Sequence, residues 1–100
     1  MVKHVILWQL KDEYTAEEKA NIKAEIKAGL EALVGVVPGL KELTIHTEPL
    51  ETSNADLMLD STLESFEALK GYAVHPDHVA VADGKVRPNV KARVCMDYEV

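Results

Sequence analysis

Apolar side chains that alternate with polar ones predict four β-strands in this chain. The loop between the second and third strands is short, so we expect these two to pair as a hairpin. The first strand carries large apolar side chains on both faces, since Ile6 and Trp8 alternate with Val5 and Leu7. Such a strand is typical of a sheet that is covered on both sides. The predicted strands are residues 2–11, 40–47, 56–63 and 91–99.

Two stretches between the strands have apolar residues at helical spacing. Thr15 begins a capping box, which predicts a helix that runs to about residue 36, just before a Pro-Gly pair. Ser65 predicts the start of a second, shorter helix, whose inner face includes Phe66 and Leu69. Pro76 suits the first position of a further helical turn that stops near residue 84. The apolar stripe of the first helix consists of Ile22, Ile26, Leu30, Leu33, Val34 and Val37.

The order strand, helix, strand, strand, helix, strand predicts a ferredoxin-like βαββαβ fold of the α+β class. A four-stranded antiparallel sheet then has its helices on one face. The length of 100 residues fits a single domain, residues 1–100. The other face of the sheet, with Val5 and Leu7, also needs a cover, and a second copy of the same sheet is the simplest one. We therefore expect a homodimer formed through the sheet faces, a dimeric α+β barrel.

Charge and hydropathy exclude several classes of function. The 17 acidic and 11 basic residues give a net charge of −6, so we expect no binding to nucleic acid. No apolar run approaches the length of a membrane span, so we expect no membrane association. The single cysteine, Cys95, cannot form an internal disulfide, which favours a reducing cytoplasm.

His4 is a first candidate for chemistry because it shares an apolar register with Ile6 and Trp8. A polar group in such a position must find a hydrogen-bonding partner. One interpretation is a structural histidine that bonds a backbone carbonyl or Tyr72. The other is a histidine that lines a pocket between the sheet and the helices. The sequence leaves both open.

Tyr72, His75 and His78 follow one another at a spacing of three residues, which on a continuous helix places them on one face. Pro76 interrupts the helix, so we do not expect all three to point inward. His75 is either a cap or a ligand contact. His78 is either an ordinary half-buried side chain or a general acid or base, with Tyr72 donating a hydrogen bond to a carbonyl or enolate oxygen. Zinc bound by His4, His75 and His78 is disfavoured by the proline, so we expect no metal site.

Nucleophilic chemistry finds little support in the sequence. Cys95 alternates with Val94 and Met96 on the last strand and is expected to pack rather than react. The five glycines are scattered, so there is no phosphate-binding loop.

Four segments together resemble the stress-responsive dimeric A/B barrel (Dabb) domain family over essentially the whole chain. The most specific is Tyr-Ala-Val-His-Pro-Asp-His at residues 72–78. The others are residues 2–8, the Val-Pro-Gly-Leu turn at 37–40 and the Asp-Tyr-Glu segment at 97–99. The resemblance implies a ferredoxin-like fold that dimerises into a barrel through its sheets, with a cleft between sheet and helices in each subunit.

Members of this family include plant stress-induced proteins, plant polyketide cyclases and many bacterial proteins of no assigned activity. The resemblance to the cyclases implies that His78 removes a proton next to a carbonyl, that Tyr72 holds the substrate oxygen and that His4 orients or polarises. It also implies that no cofactor is needed. The first helix departs from the cyclases because its inward residues, among them Ile22 and Ile26, are aliphatic rather than aromatic. The cyclase substrate is therefore not carried over.

Two hypotheses of different classes follow. The first is a homodimeric stress-type domain that binds a small apolar carbonyl compound in the cleft. The second is a cofactor-independent lyase, cyclase or isomerase that uses His78 and Tyr72 as an acid–base pair. A cavity onto which Tyr72, His78 and His4 converge favours the second, whereas Leu or Met side chains in that space oppose it. The residues expected to contact a ligand are Trp8, Ile22, Ile26 and His75.

Overall fold

The computed structural model describes all 100 residues and has the predicted ferredoxin-like order of elements. The four strands form one antiparallel sheet, and the expected hairpin between the second and third strands is confirmed. A π-helical turn (Ala82–Val86) and a 3-10 turn (Arg87–Asn89) precede the last strand. No helix is long and apolar enough to span a membrane. The main elements are β1 (Val2–Leu10), α1 (Ala16–Glu31), β2 (Leu40–His46), β3 (Leu57–Leu63), α2 (Phe66–Val74), α3 (Pro76–Val81) and β4 (Val90–Glu99). The strands follow one another across the sheet in the order β2-β3-β1-β4.

Helix α1 begins as predicted but ends earlier. The capping box is formed, because the Thr15 hydroxyl accepts from the Glu18 amide and the Glu18 carboxylate accepts from the Thr15 amide. The helix stops at Glu31 rather than near residue 36. Gly35 has a φ of +87°, a left-handed conformation that an α-helix does not contain. The predicted stripe was therefore wrong at Val34, which is exposed.

The core fills the space between the helices and the inner face of β1, β2 and β3. Helix α1 contributes Ile26 and Leu30, and α2 contributes Leu69. Phe66, expected on the inner face of α2, is instead exposed. Helix α1 comes close to α3 at Gly29, where an added Cβ would lie 2.9 Å from a Val81 methyl. This close approach packs α3 against α1.

Strand β4 differs from the other three because no helix covers its inner face, and only Val90 and Cys95 are half-buried. An open cleft therefore lies between β4 and the segment formed by α2, α3 and the π-helical turn. The inward residues Arg93, Cys95 and Asp97 of β4 pair in register with Trp8, Ile6 and His4 of β1.

The outer face of the sheet is apolar and uncovered, as the pattern of β1 predicts. Val94 and Met96 are 65% and 66% exposed, and Leu7 and Tyr98 are also exposed. These four residues, called the outer patch below, lie side by side because Leu7 pairs with Val94 across β1 and β4. Within a single chain no other element packs on the outer patch.

Candidate functional site

The cleft contains a cavity of about 570 Å³, within the size range of small-molecule sites. It lies between the inner face of β1 and β4 and the helical segment from α2 to the 3-10 turn. The cavity is open to solvent at β4. Its apolar wall includes Ile6, Trp8, Leu30, Leu59, Leu69 and Val86. Its polar side chains are His4, Tyr72, His78, Arg87, Lys91 and Arg93.

The break between α2 and α3 decides which of the spaced side chains reach the cavity. His75 is extended (φ −63°, ψ 132°), because a residue that precedes a proline avoids the helical region. Its Nδ1 accepts a hydrogen bond from the Asp77 amide at 3.1 Å, so His75 caps α3 and does not line the cavity. The same break brings the rings of Tyr72 and His78 together, with centroids 4.2 Å apart.

Tyr72 is the most unusual polar residue of the site. The residue is only 1% exposed, and its hydroxyl is shielded from water without a hydrogen-bond partner in the chain. Burial raises the pKa of the phenol, so the group stays protonated at neutral pH and can act only as a neutral donor or acceptor. Unpaired buried polar atoms are rare in folded proteins. This hydroxyl therefore has its hydrogen-bonding capacity unused within the chain.

His78 presents a free ring nitrogen. Its Nδ1 lies 3.2 Å from the carbonyl oxygen of Ala73, which can only accept, so Nδ1 carries the proton and Nε2 of the neutral ring has the lone pair. Burial lowers the pKa of His78, the hydrogen bond to Ala73 opposes this in part, and the positive charges of Arg87 and Arg93 lower the pKa further. At neutral pH the imidazole is uncharged and able to accept a proton.

His4 is buried on β1 and lies edge-on to Tyr72, with ring centroids 5.9 Å apart. Its Nδ1 donates to the Asp97 carboxylate, which leaves Nε2 of the neutral ring as an acceptor. The buried Ser61 hydroxyl donates to the His4 backbone oxygen at 2.8 Å and fixes the strand at this point. His4 lines the cavity, as one interpretation expects, but its ring bonds the Asp97 carboxylate and not the backbone carbonyl or Tyr72 of the other interpretation. The partner, Asp97, was not foreseen.

The side chains that could hold a metal ion are not those considered from the sequence. Ligand atoms of His4, Cys95 and Asp97 lie within 4.8 Å of one another, and zinc accepts all three types. His4, His75 and His78 form no such group. Burial raises the pKa of the Cys95 thiol and the nearby Asp97 charge raises it further. Cys95 is therefore a protonated thiol that packs against the core.

Only one of the four predicted ligand contacts lines the cavity. Trp8 lines the cavity, whereas Ile26 is fully buried in the core and Ile22 packs at its edge, so neither reaches the cavity. Helix α1 contributes Leu30 to the lining instead. Helix α1 packs mainly on β2, which keeps Ile22 and Ile26 away from β4. The sequence analysis missed the cations of the lining, namely Arg87, Lys91 and Arg93.

Comparisons with known proteins agree with this architecture. Olivetolic acid cyclase from Cannabis sativa is 28% identical over 86 residues, which cover 82% of this chain and 80% of the cyclase. A dimeric ferredoxin-like protein of unknown function from Bacteroides fragilis superposes with a TM-score of 0.92 at 28% identity, covering 99% of this chain and 95% of that one. The hydroxynitrile lyase from Passiflora edulis shares the fold, with a TM-score of 0.72 at 18% identity over 97% of this chain and 90% of the lyase.

The family assignment rests on a match along nearly the full length. The sequence model of the stress responsive A/B barrel domain family matches residues 2–100. This span includes all four strands, the three helices and every residue that lines the cavity. The chain therefore belongs to the stress responsive A/B barrel domain family.

Proposed function

We propose that the chain binds a small carbonyl compound in its cavity and catalyses a proton transfer on it, as a lyase, cyclase or isomerase. The observation that carries the proposal is the unpartnered Tyr72 hydroxyl beside the free Nε2 of His78 on one cavity. A domain that only binds a carbonyl compound can use the Tyr72 hydroxyl but needs no free base beside it. The acid–base pair therefore favours the catalytic hypothesis over passive binding.

The roles follow from the protonation states. His78 Nε2 removes a proton from the carbon next to the carbonyl, and Tyr72 donates a hydrogen bond to the oxygen as negative charge develops there. Because the Tyr72 hydroxyl is shielded from water, its hydrogen bond to an oxyanion is stronger than it would be in solvent. His4, held by Asp97, is a second group that can take or return a proton. These side chains can perform such a proton transfer by themselves.

Two of the compared proteins support the proposal by their described activities. The Cannabis sativa relative is a cyclase, and the Passiflora edulis fold neighbour is a lyase. The lining of this cavity is mainly apolar, which suits the carbon skeleton of a carbonyl compound.

Deuterium exchange tests the proposal directly. We expect the protein to accelerate exchange of the hydrogens next to the carbonyl of 2-octanone or 7-oxooctanoate in D₂O by about 10²- to 10⁴-fold over buffer, as measured by proton NMR. His78→Gln is expected to abolish this acceleration. His75→Gln, which changes a histidine outside the cavity, is the matched control and keeps it. Binding of both compounds without any acceleration would reject catalysis and leave the binding hypothesis.

We also propose that two chains associate through the outer patch. Four exposed apolar residues on one sheet face are more than isolated surface hydrophobes, and burying them against a second sheet removes them from water. The Bacteroides fragilis neighbour is described as dimeric, which supports self-association. The Lys3–Asp60 ion pair (2.6 Å) lies on the same face and would border or enter the interface.

A further inference from the structure

The charge of the cavity is opposite to the charge of the chain. The protein carries −6, yet the cavity lining contains three cations and no aspartate or glutamate. Acidic residues outnumber basic ones in the sequence, so the absence of carboxylates from the lining does not follow from the composition of the chain. Such a lining attracts an anion and repels a cation.

The three cations are not equally available. Arg87 pairs with Asp83 one helical turn away, and Lys91 pairs with Asp12 at 2.7 Å. Arg93 takes part in none of the seven ion pairs of the chain. Its guanidinium group is therefore the cation of the cavity that has no carboxylate partner.

The position of Arg93 fits a ligand with two different ends. It lies on the inner face of β4 directly opposite Trp8, whereas Asp97 lies opposite His4. These two positions are four residues apart, about 13 Å along a strand. Apolar side chains, among them Ile6, line the wall between them.

We propose that the cavity binds an oxo acid of medium chain length, whose carboxylate pairs with Arg93 while its carbonyl lies at Tyr72 and His78. The assignment of the carbonyl end rests on the proposed function, whereas the recognition of the carboxylate does not. The planar guanidinium group can hold both oxygens of a carboxylate. Because Arg93 lies opposite Trp8 and not opposite His4, the register favours a ligand with several carbon atoms between the two groups.

Trp8 provides the assay, because it is the single tryptophan of the chain and lines the cavity. Its fluorescence is titrated with octanoate and with 1-octanol, which have the same chain length and differ in charge. We expect the wild-type protein to bind octanoate about tenfold more tightly than 1-octanol, the low end for an exposed charge-assisted bond. Arg93→Gln is expected to remove this preference by weakening octanoate and leaving 1-octanol unchanged. Lys85→Gln, which deletes an exposed cation outside the cavity, is the matched control and retains it.

Several results would overturn the proposal: equal affinity of the wild-type protein for the two probes, octanoate binding that survives Arg93→Gln, or no fluorescence change with either probe. Arg93→Lys keeps the positive charge but removes the planar guanidinium group that can bind both carboxylate oxygens, so it is expected to retain part of the preference for octanoate. Failure of the catalytic proposal looks different, because octanoate selectivity then persists while deuterium exchange of 7-oxooctanoate stays at the rate of buffer.

Discussion

Replacing Tyr72 by phenylalanine separates a functional hydroxyl from a structural one. The buried hydroxyl has no partner in the chain, and such an unpaired group costs about 1–3 kcal/mol. The substitution removes this cost and keeps the ring that packs between His4 and His78. We therefore expect the free energy of unfolding to rise by about 1 kcal/mol, which for a chain of this size raises the melting temperature by about 4–8 °C. The exchange activity is expected to fall by about 10²- to 10³-fold, as for loss of an oxyanion donor.

Thermal unfolding followed by circular dichroism measures the first effect, and NMR exchange measures the second. Tyr14→Phe is the matched control, because the Tyr14 hydroxyl donates to the Asn89 side chain at 2.7 Å. It is expected to lower the free energy of unfolding by about 0.5–1.5 kcal/mol and to leave exchange unchanged. If Tyr72→Phe destabilised the protein as much as Tyr14→Phe does, the hydroxyl would have a partner in the folded chain and the reasoning would be wrong.

Three further predictions follow from the site and the sheet. Asp97→Asn weakens the hydrogen bond to His4. Because the Asp97 carboxylate is partly exposed, the free energy of unfolding measured in urea titrations should fall by only about 1 kcal/mol. The exposed substitution Asp77→Asn is the control. A general base must be unprotonated, and burial holds the pKa of His78 below its ordinary value of 6.5. The exchange activity should therefore be constant around pH 7 and decline only below pH 6.5. A decline that begins already at pH 7.5 would contradict this prediction. Met96→Lys should shift the sedimentation mass from two chains to one of 11.0 kDa, while Val74→Lys, at an exposed position on α2, should leave it unchanged.

The fold could be predicted because its signals are local. The period-two alternation of the strands and the capping box at Thr15 depend on neighbours along the chain. Element ends are harder, as the end of α1 shows. Apolar residues continue at helical spacing beyond Glu31, yet Gly35 turns the chain, and Leu33 and Val37 are buried from non-helical turns instead. Periodicity therefore identified Leu33 and Val37 as buried, but it was wrong at Val34 and did not predict the conformation that buries the other two.

The candidate site was predictable only in part. Tyr72, His78 and His4 could be selected because histidine and tyrosine in apolar surroundings need partners. Asp97 and Arg93 were missed because their roles depend on the register between β1 and β4, two strands that are more than 80 residues apart in sequence. The alternation of the last strand placed both on one face of that strand without showing which face is the inner one. The structure supplies the register that sets Asp97 opposite His4.

The alternation of β4 connects the cavity to the outer patch. Polar inward residues, such as Arg93 and Asp97, cannot be covered by the apolar side of a helix, so this end of the sheet stays open as a cavity. The apolar residues between them, Val94 and Met96, necessarily face the other way and form the outer patch. A slip of one residue in the β1–β4 pairing would exchange the two sets, because side chains alternate with a period of two. One inserted residue in the middle of β4 should therefore abolish octanoate selectivity and self-association together, whereas loss of only one of them would show that the two surfaces are set independently.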